Sequence, residues 1–138
     1  MPRKNLVDAG TIIAFLDKDD LAHDWAVGVF SANENLVTCE AVISEACARL
    51  EFGGFDQHRV IRLVTEKILT LEFSAQANMA RIFRLMQKYA DRPMDFADAC
   101  LVVMTEESSD PVLFTLDGDF KFYRRHGRDA IPFVSPKH

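Results

Sequence analysis

The sequence predicts an α/β fold: a three-layer sandwich in which helices flank a mostly parallel central β-sheet. Short apolar runs that are rich in β-branched residues alternate along the chain with longer segments of helical periodicity. Such alternation is typical of parallel sheets, because two parallel strands need a long crossover connection. No repeat, low-complexity tract or linker interrupts the pattern, so we expect residues 1–138 to form one domain.

Cap and turn residues give the expected boundaries of the elements. We expect Asp56, Ser74 and Asp95 to cap helices at their N-termini, and the Gly53–Gly54 pair to end a helix in left-handed geometry. The predicted strands, in order, are residues 5–7, 36–38, 68–73, 112–115 and 131–134. The predicted helices are residues 10–16, 21–31, 41–52, 56–67, 74–89, 95–104 and a short one at 118–125.

The composition is that of a soluble globular protein, with 49% hydrophobic and 27% charged residues. No apolar run reaches the roughly 20 residues that cross a bilayer, and no signal peptide is recognisable, so we expect a cytoplasmic location and no membrane partner. Cys39, Cys47 and Cys100 lie in apolar segments without metal-site spacing, which predicts buried, reduced thiols. The net charge of -5 argues against nucleic-acid binding through bulk charge, but not against a nuclease whose acidic residues bind metal.

Four acidic residues lie within or beside short apolar runs: Asp8, Glu45, Asp98 and Asp117. A buried carboxylate is costly unless it is paired, protonated or bound to a cation. Asp8 follows the first predicted strand and Asp117 follows the fourth, and ligands of parallel sheets bind beyond the carboxyl ends of the strands. The sequence therefore predicts a shared acidic pocket that suits a hard divalent metal ion.

Each acid also has a purely structural interpretation. Asp8 could cap the first helix, and Glu45 could lie on a solvent-facing helix surface. Asp95 and Asp98 have the spacing of an N-cap and the third helical residue, so a capping arrangement alone would account for both. These interpretations lose weight only because the acids recur together in one short chain.

Four sequence blocks follow one another between Leu6 and about Tyr123: VDAGTIIAFLDKDDLAH, AVISEACARL, PMDFADACLVVMTE and TLDGDF. Together they resemble the PIN-domain family, in the expected order. Within that family the chain is most similar to bacterial single-domain PIN ribonucleases, the VapC-like toxins of type II toxin–antitoxin modules.

The resemblance implies an endoribonuclease that depends on Mg²⁺ or Mn²⁺ and hydrolyses RNA phosphodiester bonds. The metal-binding and catalytic acids of the family fall on Asp8, Glu45, Asp98 and Asp117, and Thr115 matches a hydroxyl position beside the acidic pocket. We expect Asp8 and Asp98 to hold the principal ion, while Glu45 and Asp117 complete its shell or position a second ion and the attacking water. The resemblance also implies an antitoxin partner and a homodimer.

Two acids close to this set are expected to act as helix caps. Asp95 is expected to cap the helix that carries Asp98. Asp119 suits the cap of the following short helix better than Asp117 does, with an ancillary metal role as its alternative.

Two clusters of basic residues could contact RNA phosphates. Arg124 and Arg125 closely follow the last acidic block, and replacing both with Ala should flatten the salt dependence of RNA binding if they steer the backbone. Arg81, Arg84 and Lys88 share one helix face, which we expect to be solvated, with phosphate contact as the alternative.

Other functions fit the residues less well. A haloacid-dehalogenase-like phosphatase would need D-x-D where this chain has Asp8-Ala9-Gly10, and a receiver-like domain would need an acidic pair that is missing here. A PIN fold that only binds RNA or protein, and a PIN nuclease of RNA processing that is not a toxin, remain the alternatives.

Overall fold

The computed structural model describes residues 3–136, and its strands and helices alternate as the sequence predicts. The strands are β1 (Lys4–Val7), β2 (Leu36–Thr38), β3 (Leu69–Leu71), β4 (Pro111–Phe114), β5 (Arg124–Arg125), β6 (Asp129–Ala130) and β7 (Phe133–Val134). The α-helices are α1 (Ala9–Leu16), α2 (His23–Ala32), α3 (Glu40–Phe52), α4 (His58–Thr65), α5 (Met79–Lys88) and α6 (Phe96–Glu106). Two short 3₁₀ helices cover Gln76–Asn78 and Gly118–Lys121.

Five strands form one parallel sheet in the order β3-β2-β1-β4-β7, with six α-helices around it. The predicted α/β class with a mostly parallel sheet is therefore confirmed. The strand order runs outward from β1 in one direction and from β4 in the other, so the two central strands mark the switch point of the topology. Ligands of open α/β sheets bind at this point, beyond the carboxyl ends of the strands.

Buried residues in the central strands fix the carboxyl ends of these strands in place. Leu6 and Val7 of β1, Leu36 of β2 and Leu113 of β4 are all fully buried. The helix α6 is buried along nearly its whole length, and it contacts both α3 and α5. Because the sheet and α6 are held this firmly, the residues that follow β1 and β4 and those that begin α6 have defined positions.

Several predicted boundaries differ from the structure. Asp56 does not cap α4, because Gln57 occupies the N-cap position and no side chain caps this helix. The helix predicted from residue 21 begins at His23, and Leu21 is fully exposed before it. Ser74 does not cap α5, whose N-cap is Asn78; its hydroxyl accepts a hydrogen bond from the Ala77 amide in the 3₁₀ turn that precedes this helix.

The predicted glycine stop of α3 is confirmed. Gly53 is the C-cap residue of the helix, and Gly54 has a φ of +88°. This left-handed conformation suits glycine because a side chain would clash with the backbone.

The predicted helix over residues 118–125 is wrong in its second half. The 3₁₀ helix ends at Lys121, and β5 then pairs with β6 in an antiparallel hairpin. His126 and Gly127 both have positive φ angles at the turn, which is the geometry that tight hairpins need.

The cysteines are free thiols, as predicted. Cys39 and Cys100 are buried, whereas Cys47 is only half-buried. Within residues 3–136, no helix is long and apolar enough to cross a membrane.

Candidate active site

The structure places all four predicted acids around one cavity of about 260 Å³. Asp8 follows β1, Glu45 lies in α3, Asp98 lies in the first turn of α6, and Asp117 follows β4. The remaining wall is formed by Arg49, by the apolar side chains of Val42, Leu101 and Leu116, and by small residues. Four different elements therefore bring carboxylates to the carboxyl end of the central strands.

Asp8 is the most deeply placed acid, with only 7% of its surface exposed. Its Oδ1 accepts hydrogen bonds from the Thr11 amide at 3.0 Å and the Thr11 hydroxyl at 2.9 Å, and its Oδ2 accepts one from the Thr115 hydroxyl. Burial raises the pKa of Asp8 above its ordinary value, and these hydrogen bonds offset part of that effect. Asp8 also caps α1, as one of its two interpretations predicted. The same side chain therefore caps a helix and lines the cavity.

Thr115 connects Asp8 to Asp117. Its hydroxyl donates to Asp8 and accepts a hydrogen bond from the Asp117 amide at 2.9 Å. The side chain of Asp117 in turn accepts from the Asp119 amide at 2.9 Å, so Asp117 is the cap of the 3₁₀ helix. The prediction that Asp119 is the cap is wrong. Its backbone amide donates the capping hydrogen bond, and the side chain of Asp117 accepts it.

Asp95 and Asp98 form a reciprocal capping box at the start of α6, as their spacing predicts. The Asp95 Oδ1 accepts from the Asp98 amide at 2.8 Å, and the Asp98 Oδ2 accepts weakly from the Asp95 amide at 3.5 Å. Burial, followed by the charges of Asp95 and Asp117, raises the pKa of Asp98 to about 8. The crowding of acidic groups is therefore greatest at Asp98.

Glu45 faces two neighbours that the sequence did not mark as part of the site. Arg49, one helical turn further along α3, lies 3.4 Å from the Glu45 Oε2 and also lines the cavity. Burial and a hydrogen bond to Asp95 raise the pKa of Glu45, while Arg49 acts against them. The i, i+4 spacing of Glu45 and Arg49 was visible in the sequence, but that spacing is common on helix surfaces and has no functional meaning by itself.

A buried aromatic cluster supports the loop that carries Asp117. Tyr123 and Phe120 are fully buried, with ring centroids 5.3 Å apart, and Tyr123 also packs edge-on against Tyr89 at 5.0 Å. Burial and the nearby charge of Asp98 raise the pKa of Tyr123. The aromatic cluster therefore anchors the segment that follows Asp117 in the protein core.

The donor set of the cavity fits a hard divalent cation. All the candidate ligands are carboxylate oxygens, which Mg²⁺ and Mn²⁺ prefer, and a bound cation would relieve the charge crowding at Asp98. Within residues 3–136, no three acidic, histidine or cysteine side chains already stand in a metal-binding arrangement. The carboxylates thus share one cavity without forming a finished coordination shell, in part because Glu45 is turned toward Arg49 and Asp95.

The structure gives the guanidinium groups of Arg124 and Arg125 intramolecular partners. The Arg125 Nη2 donates to the carbonyls of Thr105 and Ser108 at the C-terminal end of α6. The Arg124 Nη1 donates to the carbonyls of Lys121 and Tyr123, at 2.9 and 3.0 Å. An RNA contact by either residue stays a prediction, but each already stabilises the backbone that surrounds it.

Arg81 does not lie on a solvated helix face. Its guanidinium pairs with both carboxylate oxygens of Glu106, at 3.0 and 2.6 Å, and Glu106 also accepts from the His126 amide. Burial by itself would raise the pKa of Glu106, but the hydrogen bonds and charge of Arg81 lower it. This ion pair connects α5, α6 and the β5–β6 hairpin.

The fold and the cavity together define an α/β protein with a carboxylate-lined site at the switch point of a parallel sheet. The family model of the PIN domain matches residues 6–125, so this chain belongs to the PIN-domain family. The resemblance based on the four sequence blocks is thereby confirmed.

A similar fold occurs in a solved toxin structure. The crystal structure of Mycobacterium tuberculosis VapC20, a toxin that cleaves the sarcin–ricin loop, superposes with a TM-score of 0.76 and covers 84% of this chain and 92% of that chain. Sequence identity is 15%, so this likeness concerns the fold. No curated protein matches the sequence.

Proposed function

We propose that this protein is a cytoplasmic, metal-dependent endoribonuclease that hydrolyses RNA phosphodiester bonds, and that it is the toxin of a toxin–antitoxin pair. The observation that carries the proposal is the convergence of Asp8, Glu45, Asp98 and Asp117 on one cavity in a PIN-domain chain. The fold of a toxin that cleaves RNA, VapC20, supports the same conclusion.

In this proposal Mg²⁺ or Mn²⁺ is held by Asp8 and Asp98, and Glu45 and Asp117 complete its surroundings. A bound ion of this kind would supply Lewis acidity at the phosphate and would lower the pKa of a water molecule. Asp98 would have to release its proton to hold such an ion, because a carboxyl with a pKa of about 8 is mostly protonated at pH 7. Leu101 and Leu116 provide the apolar part of the cavity wall on the side of Asp98 and Asp117.

Three neighbouring residues position the acids. The Thr115 hydroxyl holds Asp8 and the start of the Asp117 turn together, while Thr11 fixes the other oxygen of Asp8. Arg49 is the cation that lines the cavity, and we propose that it exchanges Glu45 for a phosphate of the substrate. Asp119 keeps its ancillary metal role only as an expectation of the family resemblance, because its amide donates to Asp117 but its carboxylate does not line the cavity.

Cleavage of RNA by the purified protein tests the enzymatic part of the proposal. We expect cleavage with Mg²⁺ or Mn²⁺, no cleavage with a chelator, and a loss of at least about 100-fold in Asp98→Asn, because removing a key electrostatic group typically costs that much. Asp24→Asn is the matched control, since Asp24 is an exposed acid in the first turn of α2. Full activity of Asp98→Asn would contradict the assigned site, and binding without cleavage by the wild type would favour a silent PIN module.

Expression in a bacterial host tests the toxin role. We expect growth arrest with the wild type, no arrest with Asp98→Asn, and relief when the adjacent reading frame is co-expressed as the antitoxin. An active nuclease that never arrests growth would favour a role in RNA processing. The proposed homodimer is tested separately by the molar mass of the protein in solution.

A further inference from the structure

An aromatic side chain with basic neighbours lies close along the chain to the acids of the site, because Arg92 precedes Asp95 by three residues and Lys121 follows Asp117 by four. The Arg92 guanidinium lies over the Phe122 ring, 3.7 Å from its centroid, and the Lys121 ammonium is 5.1 Å from the same centroid. Phe122 remains 40% exposed, and Arg92 and Lys121 are exposed as well. We call these three residues the rim surface.

The rim surface is joined to the elements that carry the acids. Lys121 is the last residue of the 3₁₀ helix that Asp117 caps, and a rise of about 2 Å per residue places it about 8 Å from Asp117 along the helix. The Arg92 amide donates to the Tyr89 carbonyl, and the Tyr89 ring packs against Tyr123 in the segment that follows Asp117. The Arg92–Phe122 contact therefore connects the segment before α6 to the segment after Asp117.

The charge of the rim surface differs from that of its surroundings. The chain has a net charge of -5 and its cavity is lined by four carboxylates, so a polyanionic substrate needs local attraction to approach it. Among residues 3–136, neither Arg92 nor Lys121 takes part in an ion pair, whereas Arg49 and Arg81 do. These two cations, close along the chain to Asp95 and Asp117, provide that attraction.

Stacking on Phe122 prepares Arg92 for ligand binding. A guanidinium that already lies flat on a ring loses less rotational freedom when it binds, and its planar N–H groups match phosphate geometry. Its outer face can also stack on an unpaired base, as aromatic and arginine planes do in proteins that bind single-stranded RNA.

We propose that Arg92, Lys121 and Phe122 dock single-stranded RNA, with Arg92 and Lys121 binding backbone phosphates next to the phosphate that is cleaved. This inference rests on the proposed ribonuclease function, because it names where that substrate lies. It assigns the phosphate contact to Arg92 and Lys121, whereas the sequence suggested Arg124 and Arg125.

The affinity for a short fluorescein-labelled single-stranded RNA, measured by anisotropy in chelator at several salt concentrations, tests the proposal. Arg92→Gln and Lys121→Gln should each make RNA binding less dependent on salt. The negative slope of log K against log salt should decrease in magnitude by about 0.7, the value for one phosphate contact on a single strand. Phe122→Leu should weaken binding several-fold while the slope stays the same, because it removes the stacking partner and no charge. The double variant of Arg92 and Phe122 should bind no more weakly than Arg92→Gln alone, since the two residues act as a unit.

Arg84→Gln is the matched control, because Arg84 is an exposed arginine on α5 and its loss changes the net charge equally. Equal slope changes in Arg84→Gln and Arg92→Gln, additive effects of Arg92 and Phe122, or no RNA binding by the wild type would overturn the proposal. The thermal midpoint of each variant checks that the fold is kept. If the wild type binds RNA with the expected slopes but never cleaves it with Mg²⁺ or Mn²⁺, the rim surface stands and the proposed nuclease function fails.

Discussion

Replacing Asp98 with asparagine should stabilise the metal-free protein, and the gain should grow with pH. In the folded chain the pKa of Asp98 is raised from 3.8 to about 8, by burial and then by neighbouring carboxylates. The folded state therefore holds a proton that the unfolded chain releases, so stability is lost as the pH rises from about 4 to about 8. Asparagine carries no charge at any pH and escapes this loss, while its amide oxygen can still accept the capping hydrogen bond.

The raised pKa sets the size of the effect. Moving a pKa from 3.8 to about 8 corresponds to about 6 kcal/mol in the free energy of unfolding, at about 1.4 kcal/mol for each pKa unit. Asp98 is only half-buried, so solvent screens its charge and reduces that upper limit. We expect a gain of about 1–3 kcal/mol at pH 8, and a smaller gain at pH 5.

Urea unfolding in chelator at pH 5, 6, 7, 8 and 9 measures this gain. Wild type, Asp98→Asn and the control Asp24→Asn should be compared, and Mg²⁺ should then stabilise the wild type but not Asp98→Asn. The reasoning is refuted if Asp98→Asn destabilises the protein at pH 8, or if its effect does not change with pH.

Three further substitutions test two neighbours of the cavity acids, Thr115 and Arg49, and the ion pair of Arg81 with Glu106. Thr115→Val should lower the free energy of unfolding by about 1–3 kcal/mol and weaken stabilisation by Mg²⁺, because a methyl group cannot make the two hydrogen bonds of the hydroxyl, whereas Thr115→Ser should retain both properties. Arg49→Gln should lower the Mg²⁺ concentration that gives half of the thermal shift, since Glu45 loses a competing cation; an unchanged concentration would show that Glu45 does not bind the ion. Arg81→Met should cost about 3 kcal/mol at pH 7, because it leaves Glu106 without its partner. That cost should shrink in acid, since the lowered pKa of Glu106 stabilises the fold above about pH 4.5 and this contribution disappears as Glu106 is protonated; equal costs at pH 7 and pH 3 would contradict the assignment.

The fold class could be predicted because it depends on local patterns. The apolar runs before Asp8 and Asp117 are too short for helices, and the segment that begins with Asp95 has the spacing of a helix start. The capping box at Asp95 and Asp98 connects residues only three positions apart, so the sequence contains all of its geometry. Asp56 shows the limit of this reasoning, because a residue suited to capping lies one position too early and is not used.

Residues whose partners are distant in the sequence could not be assigned in advance. In the sequence, Arg125 and Arg92 both look like ordinary surface arginines. In the structure, Arg125 donates to the end of α6, whereas Arg92 lies over Phe122 and has no ion pair among the described residues. A basic cluster in a sequence shows its charge but not which of its members is already bonded within the protein.

The sequence by itself determined the α/β class, the PIN resemblance and the four acids. The periodicity of apolar residues and the carboxylates next to apolar runs depend only on residues that are close along the chain. Only the tertiary structure decided that Asp8 and Asp117 are joined through Thr115, that Arg49 faces Glu45 in the cavity, and that Arg92 lies over Phe122. These contacts depend on how separate elements pack, and packing is settled by the whole chain at once.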